Sequence, residues 1–129
     1  MRILLDTHAW LWMTATPERL SAAAHALVER TDMGLYLSAA SAWEIAIKYT
    51  LGKLPLPEPP SAFVPSRLAQ TSVVAVPVDH LHAVHVSTLP PHHHDPFDRI
   101  LVAQAQLDDF TILTADPVFR LYDVNVIQA

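Results

Sequence analysis

Cysteine is absent from the 129-residue sequence, and long uninterrupted apolar runs are absent too. Without cysteine, disulfide bonds and thiolate metal sites are excluded. A membrane-spanning helix needs about 18 or more consecutive apolar residues, and no segment approaches that length. The N-terminal residues MRILLD reach an acidic side chain too early for a secretory signal. The sequence therefore predicts a cytoplasmic protein that has no membrane partner.

Basic residues are also scarce, since 8 Lys and Arg side chains stand against 13 Asp and Glu, giving a net charge of −5 with neutral histidines. Proteins that bind nucleic acid passively are usually basic, because neutralising phosphates supplies most of the non-specific affinity. The acidic balance therefore argues against a simple DNA- or RNA-binding module. It does not argue against an enzyme whose acidic side chains are covered by metal cations, and it predicts that a protein partner would be basic.

The composition and the pattern of apolar residues instead indicate a compact α/β protein. Half of the residues are hydrophobic (51%) and 16% are charged, and the length is that of one domain spanning 1–129. Five short apolar runs have the length of buried strands, at 3–5, 35–37, 73–76, 111–113 and 124–127. Helices are predicted between them, at 8–14, 21–30, 41–50, 61–70, 79–88 and 95–108, with a short one from 116. This alternation predicts three layers, a mostly parallel sheet with helices on both faces.

Four acidic residues fall at the edge where the predicted strands end. In an open parallel sheet, ligands bind beyond the carboxyl ends of the strands. Asp6 ends the first strand, and Asp116 follows the fourth. Glu44 and Asp98 lie in the first turns of helices that begin at the same edge. Four carboxylates are therefore predicted to face one rim of the sheet.

Each of these acids also has an ordinary structural explanation. Asp6 and Asp116 can cap the helices that follow them. Ser41 and Glu44 have the spacing of a capping box, and Asp98 suits the positive end of a helix dipole. Serine or threonine would cap as well, however, and two carboxylates about 4 Å apart repel by about 4 kcal/mol at an effective dielectric near 20. A divalent cation removes that repulsion, so the clustering favours a metal site.

The ligand types indicate which metal such a site would bind. Zinc sites usually draw on cysteine or on histidine pairs spaced along a helix, whereas carboxylate oxygens favour Mg²⁺ or Mn²⁺. Mg²⁺ usually takes one or two carboxylates and keeps several waters, which leaves positions for phosphate oxygens. The predicted chemistry is therefore phosphodiester hydrolysis by a metal-activated water.

Other polar side chains near this edge allow more than one interpretation. Lys48 is spaced to form a helical ion pair with Glu44, but it could instead contact a phosphate. His92, His93 and His94 suggest a transition-metal site, yet consecutive residues of a loop rarely face one ion. Contact with RNA or a protein partner is a second possibility, and a solvated loop is the simplest.

Four segments together resemble the PIN-domain toxins of the VapC family: LLDTHAWLW (4–12), SAASAWEIAIK (38–48), HHHDPFDRILVAQA (92–105) and ILTADPVF (112–119). The resemblance covers essentially the whole chain in order, and the HxDPFDR-type block followed by the LTAD block is its most specific part. One departure is His94, where the family usually has a basic or small residue. The resemblance implies a five-stranded sheet in the order 3-2-1-4-5. It also implies a metal-binding set and polar neighbours, carried here by Asp6, Glu44, Asp98 and Asp116 and by Thr7, Ser41 and Thr114.

The residues and the resemblance together predict an endoribonuclease that uses Mg²⁺ or Mn²⁺ to activate water. The expected products are a 5′-phosphate and a 3′-hydroxyl, because no pair of histidines is placed to use the 2′-hydroxyl. The resemblance implies a toxin that acts on structured RNA such as tRNA or rRNA, a homodimer, and a small antitoxin as partner. The four acids are the predicted catalytic and metal-binding residues, and the predicted substrate contacts are Thr7, Ser41, Lys48 and Thr114.

Two other function classes fit the sequence less well. A phosphatase of similar topology requires a second aspartate two residues after Asp6, where this sequence has His8. A receiver-type phosphotransfer domain requires a lysine on a late strand, which is missing. A catalytically silent scaffold that only binds a partner would be indicated by the loss of an acid, and all four acids are present.

Overall fold

The computed structural model describes residues 1–30 and 32–129. Five strands in this part of the chain form one sheet in the order β3-β2-β1-β4-β5. Their bounds are β1 (Arg2–Leu5), β2 (Gly34–Ser38), β3 (Val74–Val76), β4 (Thr111–Thr114) and β5 (Asn125–Gln128). All four pairings between neighbouring strands are parallel. The predicted fold class and strand order are therefore confirmed.

Helices connect successive strands and cover both faces of the sheet. They are α1 (Thr7–Ala15), α2 (Ala22–Val28), α3 (Ala39–Thr50), α4 (Pro60–Thr71), α5 (His80–His85) and α6 (Pro96–Asp108). Short 3₁₀ turns follow at Pro17–Arg19, Val86–Thr88 and Pro117–Leu121, so the helix predicted from Asp116 is a 3₁₀ turn. Among the described residues, no helix has both the length and the apolar character needed to cross a bilayer.

The central strands are buried on both faces, and the edge strand β3 is not. Ile3 and Leu5 of β1 belong to one cluster of buried apolar side chains, and Leu4 belongs to another on the opposite face. This alternation is what a strand in the middle of an α/β sheet requires. In β3, by contrast, Val74 is 54% exposed. The apolar run of β3 is therefore partly exposed, and this strand lies at the edge of the sheet.

The start of α3 differs from its prediction. The helix begins at Ala39, and its cap is Ser38, the last residue of β2, whose Oγ accepts from the Ala40 N–H at 3.0 Å. The predicted start at Ser41 and the Ser41–Glu44 capping box are wrong, because the strand runs directly into the helix. Glu44 consequently lies in the second turn. Among the described residues, the buried Oγ of Ser41 has no hydrogen-bond partner.

These two serines give a matched test of the helix start. We expect Ser38→Ala to lower the free energy of unfolding by about 1 kcal/mol, because it removes the hydroxyl that caps the helix. We expect Ser41→Ala to leave it unchanged or to raise it by up to about 1 kcal/mol, because the lost hydroxyl is buried without a partner among the described residues. Urea unfolding of both variants beside the wild type measures the difference. A loss in Ser41→Ala as large as that in Ser38→Ala would contradict this account of α3.

Candidate active site

A cleft of about 370 Å³ lies at the carboxyl ends of β1 and β4 and contains all four predicted acids. Asp6 follows β1, Asp116 lies beyond β4, Glu44 projects from α3, and Asp98 projects from the first turn of α6. The residues lining the cleft are Asp6, His8, Trp12, Glu44, Lys48, His93, Asp95, Asp98, Ala115 and Asp116. Acids from four separate segments of the chain therefore share one cavity.

Asp6 is fixed by the pairing of the two central strands. The register places Leu5 beside Leu113, so the next residues, Asp6 and Thr114, are neighbours at the sheet edge. The Thr114 hydroxyl donates to Asp6 Oδ2 at 2.8 Å, and the Thr7 N–H donates to Asp6 Oδ1 at 2.7 Å. Burial raises the pKa of Asp6, while the hydrogen bond from Thr114 opposes that shift. Asp6 is thus both the cap of α1 and a carboxylate facing the cleft.

Glu44 is the most deeply buried of the four acids, with 3% of its surface exposed. The Thr7 hydroxyl donates to Glu44 Oε1 at 2.7 Å, and Lys48 Nζ lies 2.5 Å from Glu44 Oε2. The hydrogen bond to Glu44 raises the pKa of Lys48, which keeps its ammonium charged. Lys48 forms the ion pair with Glu44 that its spacing predicts. It also lines the cleft, where a phosphate contact stays a prediction.

The charged form of Asp98 is strongly disfavoured by its surroundings. Its side chain is 13% exposed, and burial together with the charges of Asp6 and Asp95 raises the pKa of Asp98 to about 7. His93 Nε2 lies 2.7 Å from Asp98 Oδ2 and partly opposes this shift. Asp95, a fifth carboxylate in the cleft, is occupied as the cap of α6, where its Oδ1 accepts from the Phe97 N–H at 2.9 Å.

Asp116 is held at the rim of the cleft by backbone contacts. Its N–H donates to the Thr114 hydroxyl at 3.0 Å, and its Oδ1 accepts from the Val118 N–H at 3.0 Å. The other oxygen, Oδ2, lies 4.0 Å from His93 Nε2. Thr114 therefore links the two acids that follow the central strands, because it donates to Asp6 and accepts from Asp116.

The predicted substrate contacts divide into two groups. Lys48 lines the cleft, with 38% of its side chain exposed. Thr7 and Thr114 are buried, and their hydroxyls donate to Glu44 and Asp6, so they orient carboxylates. Ser41 is buried one helical turn before Glu44 and is not part of the cleft lining that the described residues form.

His93 is a member of the site that the sequence did not single out. Of the three consecutive histidines, only His93 lines the cleft formed by the described residues, while His92 packs its ring against Tyr122 with centroids 5.3 Å apart and His94 is exposed. The prediction that consecutive loop residues would not face one point was sound. The sequence held no signal for which of the three turns inward, because a loop has no periodicity that assigns its side chains to a face.

The residues present fit a divalent cation. The carboxylates of the cleft are hard oxygen ligands of the kind that Mg²⁺ and Mn²⁺ accept. His93, Asp98 and Asp116 each offer a ligand atom, and these atoms lie within 4.8 Å of one another. Lys48 is committed to Glu44, so the charge gathered around Asp98 is only partly compensated by the protein itself.

The clustered acids predict how the stability of the metal-free protein, measured in EDTA, depends on pH. The pKa of Asp98 is about 7 in the folded protein, above its unfolded value of about 4. Between these two pH values the folded protein therefore binds more protons than the unfolded chain. Its stability consequently falls as pH rises through that window. We expect Asp98→Asn to raise the melting temperature at pH 8, by roughly 3–6 °C for each kcal/mol of relief. The gain should shrink at pH 5, where Asp98 in the folded wild type is largely protonated.

Asp123→Asn is the matched control, because Asp123 is an exposed carboxylate outside the cleft. Asparagine at 98 can still accept a hydrogen bond from His93, so packing changes little. A melting temperature for Asp98→Asn that equals or falls below that of the wild type at pH 8 would show that Asp98 is not under electrostatic strain.

Comparison with known proteins places this architecture in a family. A family model described as PIN domain matches residues 3–125. Ribonuclease VapC16 of Mycobacterium tuberculosis (strain ATCC 25618 / H37Rv) is 50% identical over 60 residues. That alignment covers 46% of this chain and 43% of the relative, so it spans less than half the length of the curated protein.

Solved structures share the fold at low sequence identity. The structure of VapBC2 from Rickettsia felis bound to a DNA fragment from their promoter has a TM-score of 0.74 and 12% identity, covering 98% of both chains. FitAcB from Neisseria gonorrhoeae has a TM-score of 0.65 and 21% identity, covering 98% of this chain and 96% of that one. The match of the family model over nearly the whole length and the agreement in fold lead to one conclusion. The chain belongs to the PIN domain family.

Proposed function

We propose that this chain is a single-domain endoribonuclease dependent on Mg²⁺ or Mn²⁺, acting as the VapC-type toxin of a type II toxin–antitoxin system. The observation that carries the proposal is the convergence of Asp6, Glu44, Asp98 and Asp116 from four segments on one cleft. The similarity to a mycobacterial ribonuclease supports the reaction class. In a catalytically silent scaffold, repulsion among these carboxylates would destabilise the fold without serving a reaction.

The four acids would hold the ion, directly or through water. When bound, the ion supplies a Lewis acid that raises the acidity of water and offsets negative charge on the phosphoryl group under attack. The protein's own part is to keep the carboxylates oriented. Thr114 and Thr7 hold Asp6 and Glu44 by hydrogen bonds of 2.8 and 2.7 Å. Such preorganised ligands need little rearrangement as charge develops.

The neighbourhood of the cleft supports an RNA substrate. The cleft adjoins a recess that shares His8 and Lys48 with it and adds Lys53, so both lysines of the chain lie here. A second recess shares Trp12 with the cleft and contains Arg19, whose guanidinium lies 5.9 Å from the Trp12 ring. In a chain with a net charge of −5, cations and an aromatic ring gathered beside the acids suit a single-stranded segment of phosphates and bases.

The proposed partners follow from the same family relationship. The structural neighbours include a toxin–antitoxin complex from Klebsiella pneumoniae, with a TM-score of 0.64 and 15% identity over 98% of this chain. By analogy, we propose a small antitoxin protein as partner of this chain, and a structured RNA such as tRNA or rRNA as target. RNA targets of this kind imply a location in the cytoplasm.

An apolar face supports the proposed homodimer. A groove of about 500 Å³ lies between α3, α5 and α6 and is lined almost entirely by apolar side chains. Trp43 on its wall is 63% exposed and meets Phe97 edge-on at 5.2 Å between ring centroids. Leu81 and Val84 on α5 are 70% and 65% exposed. Concentrated apolar exposure of this kind is typical of surfaces that pair with another protein chain.

The first test of the proposal is cleavage of RNA by the purified protein. We expect cleavage of total RNA with Mg²⁺ or Mn²⁺, 5′-phosphate ends, and no cleavage in EDTA. Asp6→Asn should lower the rate by about 100-fold or more, because one carboxylate of the ion site is neutralised; loss of partners around a metal site already costs about 10- to 100-fold. Asp123→Asn should cleave like the wild type. Cleavage that persists in EDTA or in Asp6→Asn would contradict the mechanism. The absence of cleavage in every reaction would favour a non-catalytic scaffold.

The second test asks whether Lys53 contacts the substrate. We expect Lys53→Ala to raise KM for a single-stranded oligoribonucleotide while leaving kcat nearly unchanged, because Lys53 lies beside the cleft and outside its lining. The slope of log(kcat/KM) against log[salt] should become shallower by about 0.7–1, the value for loss of one phosphate contact. Arg30→Ala removes an exposed cation that pairs with Asp32 and serves as control. An identical salt slope in Lys53→Ala and the wild type would show that Lys53 does not contact the RNA.

A further inference from the structure

One arginine fixes the loop that precedes α6. The Arg99 guanidinium donates to the backbone carbonyls of Val86 and Pro90 at 3.1 and 2.9 Å. It donates also to the carbonyls of Leu89 and His93, both at 3.4 Å. A planar group with five N–H donors can make several such bonds at once, and a lysine cannot reproduce the arrangement. Arg99 therefore acts inside the protein as a brace for this loop.

The contacts of Arg99 also involve side chains near this loop. Arg99 also donates to the Tyr122 hydroxyl at 3.3 Å, and the ring of Tyr122 packs against His92. With His92 occupied in this way and the His93 carbonyl held, the His93 imidazole lies between two acids of the cleft. Its Nε2 is 2.7 Å from Asp98 Oδ2 and 4.0 Å from Asp116 Oδ2. The His93 imidazole is thus placed next to two of the four acids.

We propose that His93 is a nitrogen ligand that joins Asp98 and Asp116 in holding a divalent ion, and that Arg99 is the positioning residue that presents it. The inference rests on the proposed metal-dependent function and adds a consequence for metal choice. Imidazole is a good ligand for transition metals and a poor one for Mg²⁺, which prefers oxygen. A site containing His93 therefore binds Mn²⁺ more tightly than Mg²⁺.

A simpler role for His93 makes the opposite prediction. If its imidazole only donated a hydrogen bond to Asp98, it would compete with the cation for Oδ2. Removing it would then leave the affinity for Mn²⁺ unchanged or would increase it. Metal binding therefore separates a ligand from a hydrogen-bond donor, independently of whether RNA is cleaved.

The experiment measures binding of MnCl₂ and MgCl₂ alone to the full-length wild type, His93→Ala, His94→Ala and Arg99→Lys. We expect His93→Ala to raise the Kd for Mn²⁺ by about 10- to 100-fold, with a much smaller change for Mg²⁺. His94→Ala removes an exposed neighbouring imidazole and should bind both ions like the wild type. Arg99→Lys should weaken Mn²⁺ binding in the same direction as His93→Ala but less. Pulsed electron paramagnetic resonance of bound Mn²⁺ should show nitrogen coupling in the wild type and in His94→Ala, and none in His93→Ala.

Unchanged or tighter Mn²⁺ binding by His93→Ala, or nitrogen coupling retained in it, would overturn the inference. In that outcome a wild type that binds metal and cleaves RNA only with metal would leave the proposed function intact. A wild type that binds neither ion would remove the basis of both. Thermal melting of His93→Ala and Arg99→Lys in EDTA checks that the variants are folded. Mn²⁺ binding by folded Arg99→Lys that equals that of the wild type would overturn the positioning role of Arg99.

Discussion

Buried negative charge at the carboxyl edge of the sheet is the constraint on which the rest of this structure depends. Asp6 and Glu44 are almost fully buried, and Asp98 is largely so. Carboxylates removed from water and placed near one another raise each other's pKa, as Asp98 shows. The protein surrounds them with donors from several directions, namely Thr7, Thr114, Lys48 and His93. These donors orient the acids and only partly neutralise them, which is the state expected of a site that completes its charge balance with a cation.

The topology explains why these acids meet although they are distant in sequence. Strands β1 and β4 are neighbours at the centre of the sheet, so Asp6 and Thr114 lie side by side across a separation of 108 residues. Helix α3 follows the strand on the other side of β1, and α6 leads into β4. Each acid can still serve its local helix. Asp6 and Asp116 accept from backbone N–H groups with one oxygen and present the other to a neighbouring residue or the cleft. Capping and site chemistry are therefore two uses of the same side chain.

The α/β class and the position of the four acids at one edge could be predicted from patterning, whereas the strand order was implied by the resemblance to PIN-domain toxins. Apolar runs marked the strands, and the carboxyl ends of parallel strands marked the edge where ligands bind. The start of α3 could not be placed, because Ser38 and Ser41 are equally good caps in sequence and only the end of β2 decides between them. His93 could not be singled out, because it lies in a loop, where no periodicity assigns the side chains of His92, His93 and His94 to a face, and because the backbone carbonyls that Arg99 contacts have no sequence signature. The exposure of β3 was missed because an apolar strand has the same sequence at the edge of a sheet as at its centre.

If the four acids gather in order to hold a divalent ion, manganese should bind among them, and a crystal of the protein soaked in MnCl₂ tests this. Anomalous diffraction locates manganese without reference to activity or stability. We expect an anomalous peak inside the cleft, in contact with the carboxylates of at least two of Asp6, Glu44, Asp98 and Asp116. A cleft with no peak at a saturating concentration of MnCl₂ would contradict this expectation.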